Sequence, residues 1–491
     1  MQNTLLEIEA EELGVIKNAK IGLKPFTIFF GKNNTGKTYL AYLIYGICNA
    51  DILISEYFSP ILINFDNVSN ELRKIIIGKK YNKKFVFEYL IKEYRISNKY
   101  IQNLFNNSVN IRNIRFKLDL PEKIRLNIFI EKRDINKTIN IERYTNKFSK
   151  LFDISSKEEE GYIIISEPKF TMCCTYDVNE ININIYLLVQ LAEGFTNYFE
   201  NLFQHILNLQ SSVVINYLRR HIARNVVFIP ASKSGIYLLR KHVFRESVED
   251  YLSGRIIKAK HKESRESALP KPIIDFIKLT LIEKPKVNEK FIELVKFGEK
   301  NIIHGSLEYN SEVDDIVYKP KKGCELTPHI SSALVVESIP LLTFLKYGVI
   351  YEGSLVMIEE PEAHLHPDAQ RNLVRLLVRL VNRGVRVLLI THSPYILQQI
   401  NNCILMNKLS TDEREKFMKK YKYEESDILD PNIVSAYLFE TFRRRSRVRH
   451  LEISTEGIPY DAFYSTLMEL SKETRELRRY IHESEECREG S

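Results

Sequence analysis

Residues Pro25 to Thr38 read PFTIFFGKNNTGKT. The first part, FTIFF, is a short apolar run rich in aromatic and β-branched residues, the composition of a buried strand. It passes without a linker into Gly31-Lys32-Asn33-Asn34-Thr35-Gly36-Lys37-Thr38, which fits G-x-x-x-x-G-K-[ST] at every position, and the apolar stretch YLAYLIYG follows. A strand, a glycine turn and a helix in that order form a phosphate-binding loop. Gly31 and Gly36 let the backbone turn tightly so that successive N–H groups face an anion, and the helix N-terminus adds the positive end of its dipole. In such a loop Lys37 holds the β and γ phosphates of a nucleotide and the Thr38 hydroxyl is a ligand of Mg2+. The competing reading is an ordinary glycine-containing turn.

A phosphate loop needs an acidic residue for the metal and a group that activates water. The stretch Ser354 to Pro367, SLVMIEEPEAHLHP, offers Glu359, Glu360, Glu362, His364 and His366. Two readings are open at this point: a transition-metal site built from all five, or the acidic edge of a nucleotide site. The surroundings favour the second. Leu355 to Ile358 is an apolar strand, Asp368 to Arg383 repeats Leu373, Leu376, Leu377 and Leu380 at helical spacing, Gly384 stands where a helix ends, and Val385 to Thr391 is another apolar strand. That is a β-α-β unit of a parallel sheet, whose strands carry ligands at their carboxyl ends. Glu359 and Glu360 end the first strand and His392 follows the second, so Glu359 is placed for the metal, Glu360 for the proton of attacking water, and His392 for the γ-phosphate edge.

The bulk properties are compatible with this and add little. The 491 residues suffice for two to four domains, 44% of them are apolar, and a net charge of +8 favours polyanions without demanding them. An acidic N-terminus, MQNTLLEIEAEELG, lacks the basic n-region of a secretory signal, and no apolar run spans a bilayer, so a cytoplasmic protein without membrane contact is expected. Cys48, Cys173, Cys174, Cys324, Cys403 and Cys487 are scattered, with one adjacent pair, and read as reduced packing thiols.

Along the chain, residues 1–50 carry the first half of the nucleotide site. Residues 51–222 read as an insertion, helical and polar from Ser55 to about Arg115, antiparallel β from Phe116 to about Ile183 (KIRLNIFIEKR, KTINIERYT), and helical again from Ile185 to Ile222. Residues 223–324 hold the strand RNVVFIPASKSG, with Ser232 and Lys233 after it, and a charged helical arm. Residues 325–405 carry the second half of the site, with Ser331 and Ser332 entering an apolar helix, and 406–491 a helical, basic extension.

Together, PFTIFFGKNNTGKT, the Ser-Ser helix entry, MIEEPEAHLHPDAQ and LLITHSP resemble the ABC-type ATPase heads of the RecF and structural-maintenance-of-chromosomes group. The likeness is greatest to the overcoming-lysogenization-defect branch, and covers residues 1–50 and 325–405. It implies an α/β P-loop head with a mostly parallel core sheet, an N-terminal antiparallel lobe and a large helical and β insertion. It also implies ATP and Mg2+ as ligands, Gly31 to Thr38 as the Walker A loop, Glu359 and Glu360 as the Walker B pair, His364 to Asp368 in the D-loop and His392 as the switch histidine. Such heads form homodimers or higher oligomers around ATP, with Ser331 and Ser332 of one subunit capping the nucleotide of the other. The chain departs from the group in three places. It has Ile330-Ser331-Ser332-Ala333-Leu334 where Leu-Ser-Gly-Gly-Gln is common, Glu359 where Asp is usual, and Ser232 and Lys233 near the place of a Q-loop glutamine.

Stand-alone members of that branch are similar to ATPase subunits of anti-phage systems such as Septu, PARIS and retron-associated forms, which implies a separate effector, a nuclease, as partner. The faint Toprim-like Glu456-Gly457 and Asp461 have no later Asp-x-Asp, so no nuclease of its own is expected. The alternatives are a RecF-like DNA-repair ATPase and a nucleotide-binding scaffold with little turnover. Nucleic acid is a further candidate partner through Arg443, Arg444, Arg445, Arg447 and Arg449, whereas the ladder Arg371, Arg375, Arg379 and Arg383 reads as a solvated helix face.

Overall fold

A computed structural model describes residues 6–49, 223–241, 269–281, 285–443, 445–453, 457–459 and 468–480, together with the backbone of seven strands between 58 and 189. The first half of the nucleotide site is carried by β1 (Leu6–Leu13), β2 (Ile16–Leu23), β3 (Phe26–Gly31) and α1 (Lys37–Cys48). The second half comprises β11 (Asn225–Ile229), β14 (Ser354–Glu359), β15 (Arg386–Thr391), β16 (Val434–Phe442) and β17 (Arg445–Leu451). These strands lie in the order β11-β14-β15-β3-β16-β17-β2-β1, and the first five are mutually parallel. An antiparallel lobe then runs through β17, β2 and β1, apart from one parallel pairing of β17 with β2.

The parallel strands are buried on both faces, which explains their unbroken apolar sequences. Val356 and Ile358 of β14 join a core with α4 (Ala333–Lys346), α5 (Pro367–Asn382) and α6 (Pro394–Leu405), while Leu355 and Met357 face α1 in a second core. The period of two thus divides one strand between two hydrophobic layers, each buried side chain contributing about 1.5–3 kcal/mol. Cys48 and Cys403 sit in these layers, where burial pushes both thiols up to about 12. No helix among the described residues is long and apolar enough to cross a membrane.

Several expectations about local structure are corrected. Within the stretch expected to be helical from Ser55 to Arg115, β4 (Phe58–Ile63), β5 (Lys83–Ile96) and β6 (Asn113–Leu118) are strands. The charges of KKFVFEYLIKEYRI suggest a polar helix, but its aromatic and β-branched content suits a strand, and β5 is paired on both edges by β4 and β7 (Lys123–Lys132). β8 (Ile163–Glu167), β9 (Phe170–Asp177) and β10 (Asn182–Val189) complete the sheet, so Ile185–Val189 is also a strand; KTINIERYT lies outside the described residues. In the expected C-terminal helical extension, α7 (Thr411–Tyr421) is helical, but 434–451 forms β16 and β17 because β3 and β2 offer unpaired edges. The charged segment read as an arm contributes α2 (Lys271–Thr280) and α3 (Ile292–Gly298), whose Phe276 and Val295 are core residues. Between α3 and α4 lies a separate ribbon, β12 (Gly305–Asn310) and β13 (Asp315–Pro320).

Candidate functional site

The loop after β3 is shaped by contacts that its own residue types provide. Thr35 Oγ1 donates to the Lys32 carbonyl at 2.8 Å, and Asn34 and Gly36 take positive φ values of 61° and 89°. Gly31, at φ 138°, could carry no Cβ without overlapping the backbone oxygen of Phe439 in β16, and a Cβ on Gly36 would lie 2.6 Å from Ile16 Cγ1 in β2. Neighbouring strands therefore require glycine at both positions. Lys37 is buried, and its ammonium donates to the Gly31 and Lys32 carbonyls at 2.9 and 2.7 Å. Burial lowers its pKa, against the opposing pull of Glu360, Glu359 and Glu362.

Glu359 and Glu360 leave β14 in different environments. Glu359 is buried beside the Thr38 hydroxyl and the Ala231 backbone, and burial raises its carboxyl above the ordinary value despite both contacts. Its Oε1 has no hydrogen-bond partner. A buried carboxylate oxygen next to the phosphate-loop hydroxyl is the donor set that Mg2+ takes, so these residues fit the ion. Glu360 turns outward at φ 42°, its N–H donating to the Ile390 carbonyl at 2.8 Å. Its carboxylate lies 3.8 Å from His392 Nδ1. A cavity of about 530 Å³ is lined by Asn33 to Tyr39, Ala231, Glu359 and Glu360, a volume typical of small-ligand sites.

Glu362 belongs to neither a metal site nor the cavity. Its Oε1 accepts from Thr391 Oγ1 at 2.8 Å and from the His392 backbone N–H at 2.9 Å, and lies 3.4 Å from His392 Nδ1. Ser393 then caps α6 and donates from its hydroxyl to Gln370 of α5 at 2.7 Å, so the end of β15 is held from two sides. His364 and His366 point elsewhere: they are 59% and 75% exposed, with His364 4.0 Å from Glu337 and His366 capping α5. Among the described residues no group of three His, Cys, Asp or Glu could hold a metal.

Lys233 and Glu337 were not expected to be partners. They form an ion pair of 2.7 Å with side chains 3% and 2% exposed, and Lys233 also donates to the Glu360 carbonyl at 3.1 Å. Glu337 lies one turn inside α4, the helix that Ser332 opens, so the helical segment after β11, the helix behind Ser332 and the backbone of Glu360 are tied at one point. The only signal in the sequence is a single charge in the apolar run ALVVESIPLLTFL. Ser331 donates to the Thr327 carbonyl at 2.9 Å, Ser332 is exposed at the start of α4, and neither serine lines the cavity of its own chain.

The remaining candidates divide. Arg443, Arg445, Arg447 and Arg449 are exposed on the β16–β17 hairpin, Arg445 paired with Glu12 and Arg449 with Glu440; Arg444 lies outside the described residues. The ladder Arg371, Arg375, Arg379 and Arg383 is solvated only at its two ends, where Arg371 and Arg383 are exposed. Arg379 is buried, and with Arg375 it holds the fully buried Asp427, which lies beyond the reach of any helical repeat. Gly457 contacts the Asn401 side chain, whereas Glu456 and Asp461 fall outside the described residues.

The profile of the AAA ATPase domain family matches residues 5–397. No curated protein gives a significant match. Three solved structures are similar. An Smc head bound to the C-terminal winged-helix domain of ScpA has 11% identity, covers 92% of this chain and 98% of its own, and gives a TM-score of 0.34. An Smc head with an extended coiled coil bound to the C-terminal domain of ScpA, from Pyrococcus furiosus, has 12% identity, 96% and 98% coverage and a TM-score of 0.33. An SMC head domain from Thermotoga maritima has 10% identity, 92% and 100% coverage and a TM-score of 0.29. With four-fifths of its length matched by the family profile, phosphate loop and glutamate pair included, the chain belongs to the AAA ATPase domain family.

Proposed function

We propose that the protein binds and hydrolyses ATP between two copies of its head and thereby controls a separate effector, a nuclease, in anti-phage defence. The observation that carries the hydrolytic part is the convergence of three strand ends. Behind β3 stands the phosphate loop, behind β14 the Glu359 carboxylate on Thr38 and the exposed Glu360, and behind β15 His392 at 3.8 Å from Glu360. Lys37, released from two loop carbonyls, takes the β and γ phosphates. Glu360 accepts the proton of the attacking water, and His392, anchored through Glu362, orients the γ-phosphate edge. When bound through Thr38 and Glu359, Mg2+ neutralises phosphate charge. Ser331 and Ser332, which do not line the cavity of their own chain, suit the role of capping a nucleotide held by a second copy.

The effector and the defence role rest on the resemblance of EEPEAHLHP and its neighbours to stand-alone members of the overcoming-lysogenization-defect branch. A RecF-like action on DNA is the second reading, favoured by the four exposed hairpin arginines. Lys37→Ala abolishes ATP binding. Glu360→Gln retains it, lowers turnover by roughly 10²–10⁴-fold and accumulates an ATP-dependent dimer, read by steady-state hydrolysis and analytical ultracentrifugation. Parental turnover in the Gln variant removes Glu360 as the base. An affinity pull-down of that variant from its native cell with ATP then separates the readings: a co-purified nuclease supports effector control, bound DNA the second reading, and neither the scaffold.

A further inference from the structure

Helix α5, α3 and the turn after α7 enclose a cleft of about 800 Å³ that shares no lining residue with the phosphate-loop cavity. Its basic residues are Lys296, Lys300, Arg371, Arg375, Arg383 and Lys422, with Arg379 at the back; its acidic residues are Glu293, Asp368 and Glu424. Even with Asp427 counted behind the wall, three positive charges remain in excess. They are arranged against their own repulsion, since Lys296 and Lys300 stand four residues apart, as do successive arginines of α5, where like charges destabilise a helix. Lys296, Lys300 and Lys422 form no ion pair among the described residues.

Two features hold this charge in a fixed arrangement. The guanidiniums of Arg375 and Arg379 are clamped by Asp427 on one side, and on the other they lie over Phe297 at 5.3 and 4.0 Å, with Tyr423 4.8 Å from Arg375. In addition, α3 continues as a π-helical turn, Glu299–Ile303, a rare geometry concentrated at functional sites, and this turn brings Lys300 and Asn301 into the cleft. The Asn301 carbonyl accepts from Asn372 of α5 at 3.1 Å, fixing the turn to the opposite wall.

We infer that this cleft binds a chain of phosphate groups. The faces of Phe297 and Tyr423 are already covered by Arg375 and Arg379, which leaves Tyr421 as the exposed ring of the lining and charge as the main means of recognition, and cations about 6 Å apart along α5 suit a ligand with repeated anionic groups. Such phosphates come either from a free oligophosphate or from the backbone of a nucleic-acid strand. The site does not depend on the hydrolytic reading.

The test uses the full chain carrying Lys37→Ala, which removes phosphate affinity at the loop. Inorganic tripolyphosphate is titrated calorimetrically and a labelled single-stranded DNA oligonucleotide by fluorescence anisotropy, both over a salt series. Binding of tripolyphosphate identifies a free oligophosphate site, and binding of the oligonucleotide alone identifies a strand site. In either case adding Lys296→Glu and Lys300→Glu weakens binding about tenfold or more, and for DNA lowers the salt slope by about 1.4. Arg447→Ala with Arg449→Ala leaves tripolyphosphate binding unchanged. Lys422→Glu serves as an independent variant if the double one melts early. The inference is overturned if neither probe binds or if the cleft variants bind as tightly as the parent.

Discussion

Helix α5 and the β16–β17 hairpin each present arginines at the repeat of their own secondary structure, yet the two sets are held in unlike ways. On α5 the repeat of four aligns Arg375 and Arg379 with one carboxylate, Asp427, whose side chain is wholly buried. On the hairpin the repeat of two turns Arg445, Arg447 and Arg449 to the same exposed side, where Arg445 and Arg449 find single, solvated partners and Arg447 lies over Phe442. Periodicity therefore states which way a charge points but not what meets it there. A buried pair is strong only because breaking it strands a charge, whereas an exposed pair is nearly neutral to stability and available to a ligand.

The contrast breaks most clearly at its centre. Asp427→Ala leaves Arg375 without a counter-charge and Arg379 with only the solvated Glu424, and should cost about 3–5 kcal/mol, measured by urea denaturation; a loss near zero would show that water already reaches the knot. Arg379→Met keeps the shape over Phe297 and leaves Arg375 on the carboxylate, so its cost should be smaller, about 1.5–3 kcal/mol. Acid provides a third approach. Burial alone would raise the Asp427 carboxyl, but Arg379 and Arg375 hold it below the ordinary 3.8. A depressed carboxylate stabilises fully above its unfolded value and loses that contribution as the pH falls through its folded value, so the gap between parent and Asp427→Ala should stay constant down to the ordinary 3.8 and narrow below it. A gap that stays constant there too would assign the effect to packing. The smallest effect belongs to the hairpin, where Arg447→Ala with Arg449→Ala should leave the melting temperature unchanged while reducing the salt slope of any DNA binding by about 0.9 per arginine.

The candidate site was legible in the sequence wherever its chemistry is written in a short spacing. Gly31 to Thr38, Glu359, Glu360 and His392 each announce themselves within a few residues, and the β-α-β pattern places two of the three segments side by side. The pairing of Lys233 with Glu337 and the anchoring of His392 by Glu362 were not legible, because they depend on which strands and helices become neighbours. The misread strands share another cause. β5 pairs with β4 and β7, and β10 pairs with its hairpin neighbour β9 and with the distant β7, and their charged or mixed compositions do not distinguish a strand paired on both edges from a polar helix. The arginine ladder failed for the same reason as Lys233, since Asp427 lies 48 residues beyond Arg379.

The interleaving of β16 and β17 with β3 and β2 sets a condition on how the protein is made. Gly22 donates its N–H to the Tyr437 hydroxyl across 415 residues of chain, and the phosphate loop itself packs on Phe439. A nascent chain leaving the ribosome therefore exposes the apolar edge of β3 throughout most of its synthesis, and the nucleotide loop takes its final shape only after residues 434–451 emerge. Such late, long-range closure makes folding slow and leaves the growing chain dependent on protection from aggregation, so a product truncated before β16 should be insoluble rather than merely inactive.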